Sequence, residues 1–243
     1  MKKTVTMVAV IASTLILSTK KANAQQGFVA GIEGTPQTSW LLNDDDNNNS
    51  KFESLNTISG SFGLSGQYGL TDNIGIGVNA LYSYQGQQYK WNGIEKIRRV
   101  EYLKIPLLFT YSYDIATNIK LIGKIGPQVD ILTNAKITDK DANIIIGDHK
   151  AAYEDFGISG VAYAGAAFKL SETWFLDTSL RFDYGFMDAE NKDYRKNFNN
   201  PNEITGTNGT STTYVNNSNR AITNNMTTGL TVGLRYVFSM QNP

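Results

Sequence analysis

The chain has 243 residues, no cysteine, and 22 basic side chains against 22 acidic ones. Nothing in this balance suggests nucleic-acid binding, which would leave a basic stripe. The missing cysteine excludes both a disulfide framework and a lipid attached at a cleavage-site thiol.

The first residues combine Lys2 and Lys3, an apolar stretch over residues 4 to 18, and the small-x-small run Ala22-Asn23-Ala24. That order reads as a Sec signal peptide over residues 1–24, cleaved after Ala24. The apolar stretch is shorter than the roughly 20 residues of a spanning helix. Removing residues 1–24 takes away four lysines and no acid, leaving 18 basic and 22 acidic residues and a net charge of −4. No Pro/Gly/Ser-rich linker divides the rest, so residues 25–243 are read as one domain.

Eight segments then alternate apolar and polar residues, near 27–35, 57–69, 73–86, 99–113, 118–133, 156–169, 173–186 and 224–238. In the pair over 57–86, Ile58, Phe62, Leu64, Tyr68, Ile74, Ile76, Val78, Tyr82 and Tyr84 share one parity, against Ser, Asn, Gln and Gly on the other. Alternation of this kind marks strands with one apolar face. Most exceed the nine to eleven residues of a tilted membrane strand, so several are expected to project beyond the bilayer. The short connections are "LTDN", "DIATN" and "LSET", while the others take about 20, 12, 22 and 37 residues. Short turns alternating with long loops predict an all-β, eight-stranded antiparallel up-and-down transmembrane barrel with its long loops outside.

Aromatics cluster at the strand ends. Phe28, Tyr68, Tyr111, Tyr113, Phe168, Trp174, Tyr236 and Phe238 lie near the short turns. Tyr82, Tyr84, Phe156, Phe182, Tyr184 and Phe186 lie near the long loops. Two such bands correspond to the two interfaces of a bilayer. Pro106 and Pro127 each remove a ladder donor, so bulges or unpaired positions are expected there. The closing "GLRYVF" ends on Phe238, which resembles the C-terminal signal read by the outer-membrane assembly machinery.

Four stretches, "EYLKIPLLFTYSY" (101–113), "IGKIGPQVDILTNAK" (122–136), "FLDTSLRFDYGFMD" (175–188) and "GLTVGLRYVF" (229–238), together resemble the PorT-like outer-membrane β-barrel family of Bacteroidetes. That resemblance implies a Gram-negative cell-envelope barrel with no shared catalytic residues. One branch of the family assists type IX secretion.

The candidate chemistry is weighed against simpler readings. "GIGVNA" (75–80) spells a dinucleotide fingerprint, but its glycines fall inside a strand pattern and read as relief of crowding. His149, the single histidine, stands near Asp148, Glu154 and Asp155, too few ligands for a zinc set. "NDDDNNNS" (43–50) lacks the spacing of a calcium loop. No catalytic, metal or cofactor site is expected, and the protein is read as no enzyme.

By strand parity Glu33, Lys104, Lys120, Lys124, Asp130, Lys169, Asp177, Arg181, Asp183 and Arg235 point inward. Side chains fill the interior of an eight-stranded barrel, so Glu33, Lys104, Lys124, Asp177, Arg181 and Arg235 are expected to form a plugging charge network. In it Asp177 and Glu33 should both approach Arg235. The reading is a monomeric, non-enzymatic protein for envelope structure, adhesion or protein contact. Its expected partners are outer-membrane lipid, the barrel assembly machinery and other envelope or secretion proteins. The alternatives are a secretion accessory, an enzyme acting at the rim and a small selective channel.

Overall fold

The computed structural model describes residues 27–44, 52–55, 57–91, 94–139, 144–148, 150–191 and 221–238. The expected signal peptide and cleavage site, His149 and residues 45–50 of the acidic loop lie outside them. The strands are β1 (Phe28–Leu42), β2 (Phe52–Leu55), β3 (Thr57–Gly69), β4 (Ile74–Trp91), β5 (Ile94–Ala116) and β6 (Ile119–Asp139). They continue as β7 (Ile144–Asp148), β8 (Phe156–Lys169), β9 (Trp174–Gly185) and β10 (Asn224–Phe238).

Eight of these strands are long, and all their pairings are antiparallel. β1 pairs β3, β3 pairs β4, β4 pairs β5 and β5 pairs β6. β6 then pairs β8, β8 pairs β9, β9 pairs β10, and β10 pairs β1. Each long strand therefore has a neighbour on both edges. Where a bilayer offers no water to backbone groups, an unpaired edge would cost several kcal/mol per group.

Two short turns share one chemical device. In "LTDN" the Thr71 hydroxyl accepts from the amides of Asn73 and Ile74 at 3.3 and 3.0 Å. In "LSET" the Ser171 hydroxyl accepts from those of Thr173 and Trp174 at 3.3 and 3.1 Å. A hydroxyl at the start of each turn thus satisfies donors that the ladder cannot reach.

The strands run further than the alternation indicated. β1 continues to Leu42, and β4 and β5 stay paired out to Trp91 and Ile94. The connection read as 12 residues is therefore mostly ladder. Asn92-Gly93 lies outside the described residues, and in sequence such a pair favours a two-residue hairpin. β2 adds to β4, and β7 adds to β6. On this side a five-stranded extension, β2-β4-β5-β6-β7, stands beyond the ends of the other strands. Leu41, Val100, Tyr102, Leu132, Ala135 and Tyr153 pack as a small apolar core at this long-loop end.

At the prolines the ladder is interrupted without a bulge. β5 and β6 lack pairs between Pro106↔Gln128 and Phe109↔Ile125, the gap that holds Pro127, and β4 and β5 lack them between Val78↔Leu107 and Leu81↔Lys104, the gap that holds Pro106. The register shifts of β5 with β6 fall elsewhere, at Glu101/Tyr102 and Asp114/Ala116. The missing proline donors thus leave positions unpaired and leave the register unchanged.

Candidate functional site

The sheet inverts the usual distribution of side chains. Ile58 is 93% exposed, Leu180 66% and Leu64 64%, whereas Arg181 is 1% exposed and Lys104 and Asp183 2% each. Continuous apolar surface of this kind is avoided in water and is at no disadvantage in hydrocarbon. Rings gather at both ends of this outer face. Phe28 packs on Phe238 and Tyr236 on both Trp174 and Phe238 near the short turns. Tyr82 packs on Phe62 and Tyr84, and Tyr184 on Phe186, toward the long loops.

The interior polar groups form two layers. In the one nearer the long loops, Arg181 donates from Nε to Asp183 Oδ2 at 2.9 Å and from an Nη to Oδ1 at 2.8 Å. The same Nη reaches Gln128 Oε1 at 3.0 Å. Lys104 Nζ stands 3.5 Å from Asp183 and 4.0 Å from Asp130, its register partner on β6. Gln128 donates to Asp130 and to Ser159 at 2.8 and 2.9 Å, and the Thr227 hydroxyl donates to Asp183 at 2.8 Å. Charges so deep in a protein persist only when paired and hydrogen-bonded.

In the second layer Asp177 Oδ2 lies 2.7 Å from Arg235 Nε and 3.4 Å from Lys124 Nζ. Glu33 does not join Arg235. Its Oε1 accepts from Asn79 at 3.1 Å and from the Tyr163 hydroxyl at 3.2 Å. The register gives the reason: Arg235 is opposite Gly31, while Glu33 is opposite Gly233, two residues further along. Tyr163 joins the layers, with Arg181 Cζ 5.3 Å and Lys124 Nζ 5.6 Å from its ring centroid. Cations over an aromatic face gain further stabilisation when desolvated.

The structure thus brings Lys104 and Arg181 together through Asp183, and Lys124 and Arg235 together through Asp177. Lys120 and Lys169 leave the interior for the short-turn rim, where they pair with Asp114 and Glu172 at 3.2 and 3.0 Å. Gln128, Asn79 and Tyr163 also occupy inward parity positions, and because they carry no charge an expected network of ionisable residues does not include them.

The long-loop end carries its own polar contacts. Arg98 pairs with Glu190 at 3.3 Å, and Glu190 forms a bridge with Tyr153. Burial pushes the Tyr153 phenol up to about 12, opposed by the charge of Arg98. At neutral pH it is therefore a neutral hydroxyl inside the cap. The "GIGVNA" segment lies within β4, with no helix after it to receive a pyrophosphate. Among the described residues no group of three His, Cys, Asp or Glu side chains could hold a metal ion.

Charges inside, leucines outside and rings at both ends define an outer-membrane β-barrel domain. The chain belongs to the outer membrane protein beta-barrel domain family, whose family model matches residues 20–191. Among solved structures it is similar to Neisserial surface protein A, with 11% identity over 87% of this chain and 97% of that one and a TM-score of 0.46. The outer membrane protein OprG of Pseudomonas aeruginosa gives 10% identity, 88% and 96% coverage, and a TM-score of 0.44. The attachment invasion locus protein Ail of Yersinia pestis, in complex with the heparin analogue sucrose octasulfate, gives 13%, 88% and 99%, and 0.42. No curated protein matches the chain in sequence.

Proposed function

We propose that the chain is a monomeric, non-enzymatic barrel that closes through β1 and β10 and spans the outer membrane. Its interior is plugged, and its outward loops serve envelope structure, adhesion or contact with other proteins. The observation that carries this reading is the interior itself. Arg181, Asp183, Lys104 and Asp130 interlock across it with Gln128, so the space a channel would need is taken by paired side chains. The extension and the apolar core around Tyr153 favour the same end of the molecule for contact, because loops held on a rigid scaffold present fixed surfaces.

Two measurements test it. The pure protein in planar bilayers is expected to give no steady conductance, and a stable, ion-selective current of porin size would defeat the plugged reading. An epitope inserted after Asn208, outside the described residues, is expected to be labelled on intact cells. Labelling only after lysis would reverse the orientation. Crosslinking in cells then separates the general reading from a type IX secretion accessory, since only the accessory would be captured with secretion components.

A further inference from the structure

Two cations meet on the outer face of the extension through a fault in the β6 ladder. By strand parity Lys136 belongs with Lys124, Gln128 and Asp130, which point inward. One extra β6 residue, Thr133, stands between the pairs Tyr102↔Leu132 and Glu101↔Asn134. Beyond that bulge the parity is reversed, so Ala135 is 1% exposed and Lys136 turns outward. Its register partner there is Arg99, which is also exposed. Bulges re-aim side chains, and this one sets two like charges side by side, an arrangement that on its own costs stability.

The nearby acids do not take them up. Glu101, two residues nearer the bilayer, accepts from the Tyr82 hydroxyl at 2.6 Å and from Asn134 at 3.3 Å. Asp148 has its register place on the far side of Lys136, away from Arg99, and β4 brings only Gly86 to the other side of Arg99. Among the described residues neither cation makes an ion pair. The short-turn rim differs, because Lys120 and Lys169 are paired there with Asp114 and Glu172. Arg99 stands two residues, about 7 Å along the strand, beyond the row of Tyr84 in the aromatic band. That is the level at which a bilayer carries its headgroups.

We propose that Arg99 and Lys136 seat the phosphate of a lipid in the outer leaflet, whose acyl chains run down the apolar face past Tyr84 and Leu107. The inference rests on the reading that the barrel spans the membrane with its long loops outward. A phosphate supplies the negative charge that the row of cations lacks, with paired donors from the arginine fork and a point charge from the lysine. Tyr84 is 44% exposed and Leu107 54%, so the surface below the cations is open to chains. A headgroup held at both its phosphate and its chains is favoured over free phosphate.

The test mixes the folded full chain in neutral detergent with phosphatidic acid or with phosphatidylcholine, and native mass spectrometry counts the lipid retained. Phosphatidic acid is expected to be held in preference to phosphatidylcholine, whose phosphate is neutralised by its own choline. Arg99→Gln/Lys136→Gln should weaken its retention about 30-fold, about fivefold for each cation. Lys120→Gln/Lys169→Gln removes as many charges from the short-turn rim and should leave retention unchanged, as should millimolar inorganic phosphate. Equal retention of the two lipids, equal weakening by the two double variants, or displacement by inorganic phosphate would each overturn the proposal. Insertion is scored apart, as heat-modifiable mobility in vesicles. Failure of the unaltered chain to insert would defeat the spanning reading and the proposal with it, whereas an inserted protein with any of the other adverse outcomes loses the lipid seat alone.

Discussion

Arg181→Met is expected to destabilise the folded protein by about 3–5 kcal/mol, the range found when one partner of a buried ion pair is removed. Its guanidinium is 1% exposed and makes both short contacts to Asp183. Without it Asp183 keeps Lys104 at 3.5 Å and the Thr227 hydroxyl at 2.8 Å, too little to balance a carboxylate taken out of water. Urea unfolding in lipid vesicles gives the number. The double variant Arg181→Met/Asp183→Leu should recover only part of the loss, because the apolar pair carries no desolvation cost but leaves buried Lys104 with Asp130 alone, at 4.0 Å. Arg235→Ala should cost less than Arg181→Met, since the Arg235 side chain is 14% exposed and water can reach Asp177 in its place. A cost below about 1 kcal/mol for Arg181→Met would mean that water screens the whole interior.

These residues also mark how far the sequence could be read. Period-two alternation told inside from outside for Lys104, Lys124, Asp177, Arg181 and Arg235, because a strand turns its side chains to opposite faces whatever its neighbours are. The alternation does not set heights. Strands in a ring are staggered, so counting from a turn placed Glu33 beside Arg235, whereas the register sets it two residues away among Asn79 and Tyr163. A pair on one strand escapes this problem, as Arg181 and Asp183 do at two residues apart, although the expected network left Asp183 out. Lys104↔Asp130 does not escape it, because the register shift at Asp114/Ala116 lies between that pair and the turn. The extension was harder to see. Above the bilayer level the outer face carries Gln88, Lys90, Glu95 and Arg99, and a parity rule built on a lipid-facing side ends there. β2 and β7 are short additions to β4 and β6, without the long alternation that marks a spanning strand.

Gly126→Ala should lower the folded, heat-modifiable fraction sharply, while Gly123→Ala, three residues away on β6, should leave it unchanged. A Cβ on Gly126 would run into the Leu107 carbonyl oxygen and lie 2.9 Å from its carbon. Both are backbone atoms of β5, so no rotamer change can clear them. This is also where the β5–β6 ladder lacks its pairs between Pro106↔Gln128 and Phe109↔Ile125. Pro127 withholds its donor there, and the glycine beside it lets the strands approach closely where hydrogen bonds do not set their spacing. The alanine methyl would have to push β5 and β6 apart, at a cost of about 3 kcal/mol, the upper range for overpacking. In an open sheet an edge could swing aside. Here both strands are also paired on their far edges, β5 with β4 and β6 with β8, so the displacement passes to the neighbours. A Cβ on Gly123 would meet only the Tyr163 carbonyl oxygen at 4.0 Å, and its substitution should stay within about 0.5 kcal/mol. The comparison is read as gel mobility before and after heating, then as urea midpoints for the folded fraction. Equal folded yields for the two variants would show that β5 and β6 can separate at the prolines without loss, and that the approach at Gly126 is not required for the fold.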